Sequence, residues 1–255
     1  MDQNLSLDRY ITPWGKIIDG YTRDGTSDKN TFISSVAEDE YQIAKLPEKG
    51  LAVDLGLHIG TVSLILASRG WDVIGVEMLP DNVDLANKNI TLNNLPGTIR
   101  IYQKAITKED GKKIKGYYSD TSREIGKVHQ YIGTTIPRKL HDPHALADDG
   151  QEIIVETITL ETIFKENDIK RCDFLKVDIE GAEWEIFENI PEEILDKIDR
   201  IAIELDGARD NPTSTEAFMK YLKGKFVDVS KEYFPKWCAP GTWVHGYYIR
   251  KGLNL

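Results

Sequence analysis

The stretch Leu51-Ala52-Val53-Asp54-Leu55-Gly56-Leu57-His58-Ile59-Gly60 decides how this chain is read. A short apolar run carries one carboxylate, then meets two glycines spaced ahead of a further apolar segment. That order reads as strand, tight turn, helix. Gly56 permits a sharp turn, and Gly60 lets backbone approach a ligand at a helix N-terminus. The pattern differs from the dinucleotide G-x-G-x-x-G, because position 54 is Asp and the glycine spacing is not the same. Asp54 is placed to pair with a ligand ammonium group. A glycine turn alone is commonly just a turn, and a lone strand-end acid is commonly solvated, so the next strand end matters.

Outward from this stretch the pattern repeats. A helix from Gly60 to about Arg69 is stopped by Gly70, and a second strand runs from Trp71 to Glu77. Glu77 stands 23 residues beyond Asp54, where nucleoside-binding α/β folds carry their ribose-hydroxyl acceptor. Pro80 suits the first helical position, with Val83, Ala86 and Ile90 on one face up to Asn93-Asn94. A third strand is expected over Ile99–Ile106, and a helix over Leu160–Asn167 with Thr159 as N-cap. The fourth strand, Asp173–Asp178, is mostly apolar, as a strand covered on both faces requires. A helix through Trp184 and Phe187, a strand Arg200–Leu205, a helix opened by Thr213-x-x-Glu216 and strands near Phe226–Ser230 and Trp243–Arg250 complete the series. Upstream, Thr31–Leu46 reads as an amphipathic helix ended by Pro47, preceded by irregular chain.

Alternating strands and helices predict an α/β fold: a three-layer α/β/α sandwich with a mostly parallel seven-stranded sheet. Ligands of such sheets bind beyond the carboxyl ends of the strands. Residues 1–49 form an N-terminal segment expected to act as a cap or interface, and residues 50–255 the main domain. The polar region 107–158 is too long for a plain strand-to-helix link, so it is expected to be an inserted cap between the third and fourth strands. Either segment could instead join copies of the chain into a homo-oligomer.

Composition narrows the function. Among 255 residues, 32 Lys and Arg face 42 Asp and Glu, for a net charge of −10. An acidic surface argues against nucleic acid and anionic membrane as partners, because both need a positive field. With 40% hydrophobic residues the chain is neither disordered nor fibrous. Cys172 and Cys238 cannot build a disulfide framework, which fits a reducing compartment. Met1–Tyr10 has no apolar core of signal-peptide length, and no run spans a membrane, so a soluble cytoplasmic protein is expected.

Several segments resemble the FkbM-type S-adenosylmethionine-dependent methyltransferases, which have the class I, Rossmann-like fold. They are Val53–Gly60, Gly75-Val76-Glu77 with Pro80, Asn93-Asn94-Leu95, Lys104-Ala105-Ile106, Thr159-Leu160-Glu161 and, most specifically, Phe174-Leu175-Lys176-Val177-Asp178-Ile179-Glu180-Gly181-Ala182-Glu183. The likeness covers about Gly50 to Gly207. Two departures stand out: Leu57-His58 where the family usually has Ala-Asn, and Glu77-Met78 where it usually has Glu-Pro. The resemblance implies S-adenosylmethionine as cofactor and S-adenosylhomocysteine as product. It implies that Asp54, Gly56, His58 and Gly60 surround the methionine part, that Glu77 holds the ribose, and that Gln103 to Ala105 line the adenine edge. Met78 either flanks adenine or packs in the core. The family methylates hydroxyls of sugars and natural products, in polysaccharide or polyketide pathways.

The chemistry sets further expectations. The sulfonium methyl is already activated, but an aliphatic hydroxyl is a poor acid, so a base or a metal should sit where the fourth strand ends. Asp178 occupies that place, touching both cofactor and acceptor, with His58 as partner or alternate base and Glu180 toward the substrate. Glu183 and Glu185 fit helix N-capping and surface charge. A divalent ion on Asp178, Glu204 and Asp206 is the weaker alternative, because Glu204-Leu205-Asp206 does not match the paired-Asp motif of metal-dependent macrocin-type methyltransferases. Tyr117, Tyr118, Tyr131 and Arg123 or Arg138 are candidates for a substrate wall of aromatic faces and cations. His141-x-x-His144 fits a solvated loop better than a zinc site. His245 is read as structural unless its strand reaches the substrate. The expected acceptor is a carbohydrate or sugar nucleotide. A polyketide hydroxyl, an amine, or a non-catalytic nucleoside-binding module remain as alternatives.

Overall fold

The computed structural model describes residues 4–119, 122–123, 128–129, 132–134, 151–206, 214–234 and 243–253. The N-terminal elements are β1 (Leu5–Ile11), β2 (Ile17–Arg23) and α1 (Asp28–Phe32). Then come β3 (Leu51–Leu55), α2 (Thr61–Ser68), β4 (Asp72–Glu77), α3 (Pro80–Leu92) and β5 (Ile99–Gln103). Short strands follow: β6 (Ala105–Ile106), β7 (Lys113–Ser119), β8 (Ser122–Arg123), β9 (Val128–His129), β10 (Ile132–Thr134) and β11 (Gln151–Ile158). Next are α4 (Leu160–Glu166), β12 (Phe174–Val177), α5 (Glu183–Asn189), α6 (Glu192–Leu195) and β13 (Arg200–Asp206). The last are α7 (Thr215–Phe218), β14 (Phe226–Asp228), α8 (Ser230–Tyr233) and β15 (Trp243–Arg250).

Seven strands form one sheet in the order β14-β15-β13-β12-β3-β4-β5. The pairs β3/β4, β4/β5 and β12/β13 are parallel, while β15 runs antiparallel to β13 and β14. This is the mostly parallel seven-stranded sheet expected from the strand–helix alternation. The chain divides into two compact units, one around Met1–Gln103 and one around Glu152–Leu255.

In the first unit, α2 is buried along its whole length and starts from Gly60, whose φ of 89° is left-handed. Pro80 opens α3 as expected. Two expectations fail here. Residues 5–23 are not irregular: β1 and β2 pair as an antiparallel hairpin. Thr31–Leu46 is not one helix. The helical stretch starts at Asp28, loosens to a π-turn over Ile33–Ala37 and stops, and only a short 3₁₀ turn follows at Ile43–Lys45. The break is at Asp39 and Gln42, with φ of 52° and 57°. The Asp39 carboxylate accepts from Ile43 N at 2.6 Å and Ala44 N at 2.9 Å, so a side-chain cap replaces the missing helical bonds.

In the second unit, β12 is buried at every position, and Phe187, Phe218, Tyr247 and Tyr248 fill the surrounding core. Thr159 caps α4, its hydroxyl accepting from Thr162 N at 3.1 Å. The cap of α7 is Ser214, accepting from Ala217 N at 3.0 Å, one residue beyond the expected Thr213, which lies outside the described residues. Cys172 is buried and Cys238 lies outside the described residues. The expected third strand is split. β5 ends at Gln103, and β6 leaves the central sheet to pair in parallel with β11 in a four-stranded sheet of order β10-β7-β11-β6. Ala105 is therefore a buried member of that smaller sheet and not the end of a central strand.

Candidate active site

The end of β3 is a turn in which Gly56, His58 and Gly60 all have positive φ, at 80°, 54° and 89°. For His58 that conformation costs on the order of 1 kcal/mol, so surrounding contacts must hold it. Gly56 N and Leu57 N both donate to the Val76 carbonyl at 2.9 Å, fixing the turn to β4. The Glu77 carboxylate is buried at the end of β4. Its Oε2 accepts from His58 N at 2.9 Å and its Oε1 from Leu79 N at 2.8 Å. Leu57 packs against β4 where Gly75 leaves room: a Cβ on Gly75 would lie 2.1 Å from Leu57 Cδ1. Gln103 stands in register with Glu77 on β5, and Met78 is buried.

Asp54 is also buried, and its Oδ2 accepts from Ser63 Oγ of α2 at 2.7 Å. It therefore anchors the start of the helix. The His58 ring turns to the N-terminal segment, its Nε2 3.5 Å from Asp28 Oδ1 and 3.4 Å from Arg23 Nη2. Neither Arg23 nor Asp28 was singled out from sequence, where nothing local links them to residue 58.

This turn fits an adenosyl cofactor on its donor chemistry. Each carboxylate oxygen accepts more than one hydrogen bond, so Glu77 can serve vicinal hydroxyls while keeping its two backbone donors. Left-handed glycines on either side of His58 bring bare backbone to the sheet's carboxyl edge.

At the end of β12 the chain turns again, with Glu180 at φ 58° and Gly181 at φ 110°. Glu183 closes this turn from inside: fully buried, its Oε1 accepts from Ile179 N and Gly181 N, both at 3.1 Å. Glu183 is therefore not the surface helix cap expected: α5 starts after Ala182 with no side-chain cap, and the buried Glu183 ties down the turn that precedes the helix. Glu185 pairs with Lys108 at 3.0 Å. Asp178 is 29% exposed, and the buried Lys176 ammonium lies 3.4 Å from its Oδ2.

On β13, Glu204 pairs in register with His245 of β15. His245 Nε2 lies 3.0 Å from Glu204 Oε2, with side chains 5% and 28% exposed. Burial first, then the neighbouring Asp178 charge, pushes the Glu204 carboxyl up to about 7 against the opposing pull of His245. Phe234 meets the imidazole edge-on at 5.3 Å. A carboxyl poised near neutrality and hydrogen-bonded to an imidazole is equipped for proton transfer. His245, expected to be structural unless its strand reaches the substrate, is thus the partner of Glu204.

The remaining candidates are placed less fully. Tyr117, Tyr118 and Arg123 lie on β7 and β8, and Asp206 ends β13. Tyr131, Arg138, His141 and His144 lie outside the described residues. Among the described residues, no three His, Cys, Asp or Glu side chains converge as a metal ion requires.

Known proteins resemble this chain in sequence. The chain is 24% identical over 206 residues to Methyltransferase 1 of Beauveria bassiana, covering 78% of this chain and 80% of that protein. It is 24% identical over 181 residues to Methyltransferase sdnD of Sordaria araneosa, covering 64% and 69%. Among solved structures, TrmK of M. capricolum with S-adenosyl-homocysteine aligns over 85% of this chain and 69% of that one, at 12% identity and a TM-score of 0.44. The Methyltransferase FkbM domain matches residues 54–227, which takes in both acid-bearing turns and more than half of the chain. The chain belongs to the FkbM family of methyltransferases.

Proposed function

We propose that this protein is an O-methyltransferase acting on a hydroxyl of a small molecule, a carbohydrate or sugar nucleotide. The observation carrying the oxygen assignment is the 3.0 Å contact of Glu204 with His245 beside Asp178, where burial pushes the Glu204 carboxyl up to about 7. An aliphatic hydroxyl needs its proton taken as carbon bonds to oxygen, and a base poised near neutrality supplies that. The carbohydrate assignment rests on the family likeness. The acidic balance of 32 to 42 charges supports a small acceptor over nucleic acid. No helix among the described residues is long and apolar enough to cross a membrane.

The cofactor supplies a methyl already activated on sulfonium. Glu77 holds the ribose hydroxyls, and the 56–60 turn presents backbone to the methionine part. Asp178 takes the hydroxyl proton, and the Glu204–His245 pair shares it onward. We assign to that pair the role first expected of His58, whose ring faces Asp28. Lys176 orients Asp178 through its 3.4 Å contact.

The test is a panel of sugar nucleotides, free glycans, polyketide alcohols and amines, with products identified by mass. Asp178→Asn keeps shape and removes basicity, so turnover should fall by about 10²–10⁴ with cofactor affinity retained. EDTA should leave activity intact. Methylation of amines alone would overturn the oxygen assignment. EDTA loss reversed by magnesium would overturn the metal-free route.

A further inference from the structure

The cofactor turn is braced by chain that lies outside the matched domain. Asp28 and Arg23 are both buried and form a two-pronged ion pair, Nε to Oδ2 at 2.7 Å and Nη2 to Oδ1 at 2.8 Å. Arg23 N adds a third bond to Asp28 Oδ2 at 3.0 Å. Burial alone would raise the Asp28 carboxyl, but the Arg23 hydrogen bond and the His58 and Arg23 charges hold it below the usual carboxylate range. His58 is thereby held at both ends, its ring at this ion pair and its N–H at Glu77 Oε2, 2.9 Å away. Those two anchors fix a left-handed residue in the middle of the turn.

A second set of contacts ties the same turn to β2. The fully buried Asn89 of α3 uses both ends of its amide. Its Oδ1 accepts from Tyr21 N at 2.7 Å, and its Nδ2 donates to Tyr21 O at 3.2 Å and to Ile59 O at 3.1 Å. One turn on, Asn93 Oδ1 accepts from Asp19 N at 3.0 Å and Nδ2 donates to Asp19 O at 2.7 Å. The two asparagines act as a substitute strand along the edge of β2. The match is metrical: four helical residues rise about 6 Å and two strand residues about 6.6–6.8 Å.

We propose that the N-terminal hairpin and α1 form a positioning device for the cofactor turn, acting on His58 through Arg23 and Asp28 and on Ile59 through Asn89, with Asp28, Asn89 and His58 as positioning residues. None of them need touch the reacting atoms. They hold His58 and Ile59 in the conformation that presents Glu77 and the glycine backbone. The idea rests on the reading that Glu77 and residues 56–60 hold the cofactor.

The test uses the full chain. His58→Asn tolerates the left-handed backbone but is too short to reach Asp28, so it should fold normally. S-adenosylhomocysteine affinity, measured by calorimetry, should weaken by about 5–20-fold in His58→Asn and Asp28→Asn, the scale of coupling through packed networks. KM for the methyl donor should rise with kcat nearly unchanged. In cofactor-free protein, amide hydrogen exchange at residues 57–60 should quicken. Wild-type affinity and wild-type exchange in a folded His58→Asn would overturn the brace. Glu77→Ala serves as the control: unchanged affinity there would overturn the cofactor-site reading itself, whereas loss there with intact binding in His58→Asn would overturn only the brace.

Discussion

Glu183 offers the sharpest measurement of how the turn after β12 is held. Its buried carboxylate accepts two backbone N–H groups at 3.1 Å, from Ile179 and Gly181, across a turn containing Glu180 at φ 58°. Hydrogen bonds to a charged acceptor contribute about 1.5–3 kcal/mol each. Both donors are only partly buried and regain water when released, so Glu183→Ala should destabilise the fold by about 2–4 kcal/mol in total. Glu183→Gln keeps an oxygen within reach and loses the charge, and should cost about half as much. Urea unfolding, followed by two probes, measures both. Turnover should fall in the same order, because Asp178 starts this turn, while S-adenosylhomocysteine affinity changes little. A Glu183→Ala protein within about 0.5 kcal/mol of wild type would refute the anchoring argument.

Glu77→Ala removes an acceptor used by His58 N and Leu79 N and proposed for the ribose, and should weaken cofactor binding by about 1.5–3 kcal/mol in calorimetry. Glu204 loses its proton as pH rises through about 7, so kcat/KM should climb across neutrality, and that limb should vanish in Glu204→Gln. The same raised value means that between 4.5 and about 7 the folded chain keeps a proton the unfolded chain has released, so stability falls with pH across that window, and less so in Glu204→Gln. Gly75→Ala places a Cβ 2.1 Å from Leu57 Cδ1 and should cost about 1–3 kcal/mol by overpacking. Adding Leu57→Ala should relieve that strain, so the double variant should lose less than the sum of the singles in denaturant titrations.

What the sequence disclosed was local. The glycine turn after β3, the acid ending β4 and the acid after β12 are strand-end features a few residues long, and alternation of apolar runs with helical faces located each. The hairpin β1/β2 escaped because both of its faces carry apolar residues: Leu7, Ile11 and Ile17 are exposed while Tyr10 and Ile18 are buried. The false helix at Thr31–Leu46 arose because apolar spacing survives a turn, whereas the left-handed Asp39 that breaks it leaves no periodic mark. The split of β5 from β6 depends on partner choice, which no single strand encodes. His245 meets Glu204 only through antiparallel register, and Asp28 meets His58 only through the packing of the first unit. Those pairings needed three dimensions.

The asparagine links to β2 have a consequence for the order in which the chain becomes structured. Asp19 and Tyr21 lie 74 and 68 residues ahead of their partners Asn93 and Asn89. At about 5–20 residues per second of synthesis, the hairpin waits roughly 4–15 s for α3 to emerge. An isolated hairpin is marginal in water, and through that interval the edge of β2 presents unpaired N–H and C=O groups to any other nascent strand. The turn after β3, proposed to receive the cofactor, therefore completes late, after non-local closure, and slow elongation or mild heat would act first on the yield of folded chain.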